Sequence, residues 1–123
     1  MDVNVVSGQI VDSAVQIHRT FGPGLLESAY QWFMAVELRS REFTVRTNVA
    51  VPLEYKGVRV PCAYRMDMVV EDAVVVELKA IKALLPVHSA QLLSYMKLRQ
   101  YRVGLLINFH EARLVDGLQR LML

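Results

Sequence analysis

The sequence is short of cysteine, of net charge and of long apolar runs. Cys62 is the only cysteine, so no internal disulfide can form, whereas small secreted domains ordinarily depend on several. The expectation is a reducing, cytoplasmic setting. The opening MDVNVVSGQI lacks the basic start and extended apolar core of a secretory signal. No uninterrupted apolar run approaches the roughly 18 residues of a membrane span, so no membrane partner is expected. Net charge is only +2, from 14 basic and 12 acidic residues, which allows a nucleic-acid partner without arguing for one. Repeats, low-complexity tracts and internal linkers are also missing. What remains is a chain of 123 residues, 54% hydrophobic and 21% charged. That is enough for one folded domain with a real core and too little for two ordinary ones.

Apolar residues recur at helical spacing from about Asn4 to Thr20 (Val6, Ile10, Ala14, Ile17, Phe21), which predicts an amphipathic helix. FGPG, Phe21 to Gly24, breaks it, and Leu25 to Glu42 reads as a second helix of good helix formers. Phe43 to Tyr55 is rich in β-branched residues and ends at a Lys56-Gly57 turn. VRVPCAYRMDMVV and VVVELKA follow as strands. Pro86 suits the first turn of a third helix running through VHSAQLLSYMKLRQ. Arg102 to Phe109 is a nearly continuous apolar strand, as expected where both sheet faces are covered. The tail ARLVDGLQRLML is open between a short strand and a helical turn. The order α-α-β-β-β-α-β implies an α/β fold, a mixed central sheet flanked by helices in a single domain spanning residues 1–123.

Within RMDMVVEDAVVVELKA, three charges, Asp67, Glu77 and Lys79, are set into runs of Val, Met and Leu. Buried charges need a partner, a solvated exit or a metal. A two-residue loop at Glu71-Asp72 would put Asp67 opposite Val76 and scatter the charges over both faces. A three-residue loop, Glu71 to Ala73, pairs Val70 with Val74 and sets Asp67 across from Glu77. Met66, Met68, Val70, Val74, Val76 and Leu78 then share an apolar face, and the three charges share the other. This second register is preferred. Two carboxylates side by side repel unless something positive lies between them. Lys79 could serve, as a structural ion-pair cluster; so could a divalent cation held by hard oxygen ligands, which suits Mg²⁺ or Mn²⁺.

Two other stretches carry weaker signals. In GPGLLESAY, Glu27 and Tyr30 are three apart near a helix start, hence on one face. Glu27 taken alone reads as a first-turn acid favoured by the helix dipole. In HSAQLLSYMKLR, His88, Gln91, Tyr95 and Arg99 form a polar stripe, either an ordinary solvated face or a surface for phosphates and bases.

The order of these residues, a helical Glu, an Asp, then Glu-x-Lys, then Gln-x-x-x-Tyr, resembles the PD-(D/E)XK nuclease superfamily and in particular its RecB-like branch. More narrowly, Gly24-Leu25-Leu26-Glu27-Ser28-Ala29-Tyr30 resembles the name motif of the bacterial GxxExxY protein family, and the likeness runs over nearly the whole chain. Position 66 holds Met where the superfamily name has Pro, a common departure. The resemblance implies a PD-(D/E)XK nuclease-like fold and metal-assisted hydrolysis of phosphodiester bonds, with DNA as the preferred nucleic acid. It implies that Glu27, Asp67 and Glu77 hold Mg²⁺ or Mn²⁺ with the backbone carbonyl of Leu78, and that Lys79 orients the attacking water. Glu27, Asp67, Glu77 and Lys79 form the catalytic set; Tyr30, Gln91, Tyr95 and Arg99 would touch substrate. The rival readings are a nuclease-like module that binds nucleic acid or a partner protein without cutting, and a purely structural or regulatory subunit. The small size also suggests a homodimer.

Overall fold

This computed structural model describes residues 1–123, with the side chains of Cys62 and Ala63 excepted, so the Cys62 thiol lies outside the described residues. The elements run α1 (Val3–Phe21), α2 (Glu27–Ser40), β1 (Val45–Tyr55), β2 (Val58–Val70), β3 (Val74–Lys79), α3 (Pro86–Arg99), β4 (Val103–Asn108), a 3₁₀ turn (Leu114–Gly117) and β5 (Leu118–Met122). The tail is therefore a helical turn and a strand in succession.

Local chemistry explains the boundaries. The Asp2 carboxylate accepts from Asn4 N at 2.8 Å and caps α1, and Gly22 ends it in a positive-φ conformation (φ 72°). Lys56 and Gly57 both adopt positive φ, the two-residue turn that suits the twist of the β1–β2 hairpin. At the next hairpin Glu71 and Asp72 have positive φ, and Ala73 N donates to Val70 O at 3.0 Å. Pro86 sits in the first turn of α3, where a missing N–H costs nothing.

The five strands lie in the order β1-β2-β3-β4-β5. β1–β2, β2–β3 and β4–β5 are antiparallel; β3–β4 is parallel. This is the expected α/β architecture with a mixed sheet. Helices α1 and α2 cover one face, where Ile10, Met34 and Leu38 pack on Val74, Val76, Leu105 and Ile107. Helix α3 covers the other, where Leu92 and Met96 pack on Val69, Val75 and Leu106. β3 and β4, buried on both faces, read as continuous apolar runs for that reason. A methyl group on Gly104 would meet Met96 Sδ at 2.6 Å, so glycine there lets α3 seat closely on β4. Among the described residues no helix is long and apolar enough to cross a membrane.

The β2–β3 register pairs Val70 with Val74, the three-residue loop. One expected feature fails. Met68, Val70, Val74, Val76 and Leu78 share the α1–α2 face, but Met66 packs with the α3 cluster. The strand changes face between Met68 and Met66, at the interruption described next.

Candidate active site

The β2–β3 ladder pairs Val70 with Val74 and Met68 with Val76, and goes no further. Beyond it the register sets Asp67 opposite Glu77, where side chains replace the backbone bonds. Asp67 N donates to Glu77 Oε1 at 2.9 Å, and Leu78 N donates to Asp67 Oδ2 at 2.8 Å. In a pleated strand the N–H and C=O of one residue point to the same edge, so the Leu78 carbonyl also faces this opening. On β1, Asn48 has a φ of 53° and interrupts the pairing between Thr47↔Met68 and Val49↔Met66. Gln31 of α2 holds the break: its amide nitrogen is 3.1 Å from Asn48 Oδ1 and 3.2 Å from Asp67 O. β2 thus parts from β3 at a point anchored by α2, β1 and the two acids themselves.

Glu77 is 6% exposed and Asp67 is half-buried. Burial pushes the Glu77 carboxyl up to about 8, reinforced by the Asp67 charge and opposed by the Asp67 amide and Lys79. Burial also raises Asp67, against the Leu78 amide, the Lys79 charge and the Glu77 hydrogen bond. Burial thus holds both carboxyls of this coupled pair above their ordinary range. Glu27, the first residue of α2, is raised by burial as well; Lys79 lowers it, Asp67 raises it, and the Ala80 amide and His88 lower it. Lys79 is thus felt by all three acids, yet the ion pairs among the described residues join Arg41 to Asp12 and Glu37, and Arg46 to Asp72. Lys79 closes no salt bridge with its neighbours. The stretch that follows it is pinned by Asn108, fully buried, whose amide bonds both Ile81 N (3.1 Å) and Ile81 O (2.9 Å).

Helix α3 supplies the far wall. Gln91 and Tyr95 line a groove of about 480 Å³ with Leu53, Tyr64, Val87 and Leu98. Burial, then the negative charge of Glu77, the Tyr64 ring and Asp67, push the Tyr95 phenol up to about 12. It stays a neutral donor beside the acids. His88 Nδ1 accepts from Leu85 N at 2.9 Å, so His88 caps the start of α3.

Several expected positions need correction. Tyr30 cannot touch substrate: it is fully buried, stacked on Phe109 with ring centres 4.1 Å apart, and its hydroxyl donates to Gly22 O (2.5 Å) and accepts from Leu25 N (3.1 Å). It secures the turn before α2 and so places Glu27. Arg99 is exposed in the last turn of α3 and does not line the groove; the stripe Val87, Gln91, Ser94 passes to Leu98 instead. Glu27 lies where the charges of both Asp67 and Lys79 act on it. Asp67, Glu77 and the Leu78 carbonyl form a hard-oxygen donor set, which fits Mg²⁺ or Mn²⁺. Gln31 and Asn108 were not anticipated. The signal for Asn108 was a lone amide closing the apolar run VGLLIN; Gln31 shows nothing beyond its spacing on α2.

The family model described as the PD-(D/E)XK nuclease superfamily matches residues 4–121. Neither the curated proteins nor the solved structures yield a match.

Proposed function

The chain belongs to the PD-(D/E)XK nuclease superfamily, and from that premise we propose that it hydrolyses phosphodiester bonds of DNA with Mg²⁺ or Mn²⁺. The observation that carries this reading is the Asp67–Glu77 pair, each carboxylate bonded to the other strand's backbone at the opened ladder, while Lys79 closes no salt bridge among the described residues. A structural ion-pair cluster would have drawn Lys79 onto the acids. Asp67, Glu77 and the Leu78 carbonyl would hold the metal, with Glu27 completing the set by drawing in from the start of α2. The bound metal would supply a Lewis acid that offsets charge on the scissile phosphate. Lys79 orients the attacking water and offsets the negative charge developing on phosphate oxygen. Tyr95, neutral at working pH, donates toward the acids or the phosphate, and Gln91 contacts the strand along the groove.

The GxxExxY family and the RecB-like branch are the narrower placement, supported by Gly24, Glu27 and Tyr30 and by Gln91 and Tyr95 in the expected order. A cytoplasmic setting and a homodimer complete the proposal. The second reading is a module that binds nucleic acid without cutting, since a fold does not by itself establish cleavage. A panel of DNA and RNA substrates with Mg²⁺ or Mn²⁺ separates the two. Metal-dependent cleavage abolished in Lys79→Ala supports catalysis; binding with no cleavage on any substrate supports the module.

A further inference from the structure

A second groove, of about 300 Å³, lies between α2 and the outer strand β1. One stripe of α2 (Ser28, Gln31, Trp32, Arg39) forms one wall; Thr47 and Asn48 form the other. It begins at the acid pair, because Ser28 follows Glu27 and Gln31 bonds both Asn48 and the Asp67 carbonyl. Trp32, the only tryptophan of the chain, is 71% exposed, while Tyr30, two residues earlier and on the opposite side of the helix, is fully buried. A solvated indole is an unusual surface choice unless its face meets something. Apart from Ala35, the rest of the lining is polar. Among the described residues the hydroxyls of Ser28 and Thr47 and the amide nitrogen of Asn48 make no hydrogen bond within the protein, and Arg39 bonds only Val45 O, at 3.0 Å.

An exposed aromatic face, hydrogen-bonding groups at its edge and a guanidinium further along match the needs of a base attached to a phosphate backbone. The volume suits a base rather than a helix or a folded surface. Addition of a protein strand to β1 is opposed by its own backbone: Asn48 has positive φ, and Pro52 offers no N–H. Bases inside a duplex have both faces covered by their neighbours, so only an unpaired base can stack on Trp32. We propose that this groove is a subsite for an unpaired nucleobase, stacked on Trp32 with its phosphate toward Arg39, and that the substrate is single-stranded at this point. The inference rests on the nuclease reading and narrows its substrate.

The test uses Lys79→Ala, which carries the whole groove, and the emission of its single indole. Titration with a short deoxythymidine strand is expected to quench Trp32 saturably, and a duplex of the same length to leave it unchanged. With a labelled strand followed by anisotropy, Trp32→Ala in the same background should bind about tenfold more weakly. Trp32→Phe should recover part of that loss, and the melting temperature of each should stay near that of the parent. Strand binding that leaves Trp32 emission and Trp32→Ala affinity unchanged overturns the subsite and leaves the nuclease reading standing. Equal quenching by duplex overturns the requirement for an unpaired base. No binding of any nucleic acid overturns both.

Discussion

At its turn, the β2–β3 hairpin pairs Val70 with Val74 and Met68 with Val76, all four fully buried. At its open end, one residue beyond that ladder, Asp67 and Glu77 each bond the other strand's backbone through a carboxylate. The same two strands thus serve two purposes. The turn end buries apolar surface on both helical layers, the term that dominates folding free energy. The open end interrupts the ladder, admits two acids to a buried position and leaves a carbonyl edge unpaired. It is costly by every stability criterion and held in place by Gln31, Asn48 and Asn108 from elements on either side. A site that opposes the stability of its own fold, yet is braced by three residues outside it, is a mark of function.

If the two ends are separable in this way, substitutions should divide between activity and stability. The largest effect belongs to Lys79→Ala, which should reduce metal-dependent cleavage about a thousandfold while the protein remains folded by circular dichroism. At the turn end, Val76→Ala should cost about 2 kcal/mol and lower the melting temperature by roughly 8 °C; cleavage per folded molecule should be unchanged. Loss of activity out of proportion to the folded fraction would mean that the two ends are not separable. Gln31→Ala, which releases the break in β2, should weaken Mn²⁺ affinity about tenfold, measured by calorimetry, with little change in melting temperature.

A separate effect is on pH dependence. Glu77 titrates at about 8 when folded against an ordinary value of 4.5, so between those values the folded chain holds the extra proton. Stability of the metal-free protein should therefore fall as pH rises from about 5 to 8 and level off above. Glu77→Gln should flatten that slope, as followed by thermal melts across the range. Metal binding displaces the same proton, so stabilisation by Mn²⁺ should grow over the same interval.

The contrast between the two ends also marks what could be read in the sequence. Alternation of charge with Val and Leu was enough to choose the three-residue loop, because a slip of one residue would have turned every side chain over. Met66 escaped that logic. Its face depends on an interruption made by side-chain-to-backbone bonds at Asp67 and by the positive φ of Asn48, and periodicity carries no trace of either. The resemblance assigned Tyr30 to substrate beside Glu27; but Glu27 is the first residue of the helix, while Tyr30 is drawn inward by Phe109 and the Gly22 carbonyl. The tail was undecided because Leu114–Met122 is both turn and strand, and β5 forms on the edge of β4 that nothing else covers. The stripe of α2 that holds Gln31 and Trp32 carries no signal of its own in the sequence, because the groove exists only where β1 lies beside it.

The central claim is that Asp67 and Glu77 are kept together to receive a metal rather than to satisfy Lys79. Thermal melts of wild type and Asp67→Asn at pH 8, without metal and with Mn²⁺, test it most directly. Asparagine keeps an oxygen for Leu78 N and removes one charge from the pair, so metal-free Asp67→Asn should melt at or above the wild-type temperature. Mn²⁺ should then raise the melting temperature of wild type and hardly move that of the variant, because a ligand stabilises only the state that binds it. A variant that melts lower without metal, together with a wild type indifferent to Mn²⁺, would identify a structural ion cluster and contradict the account.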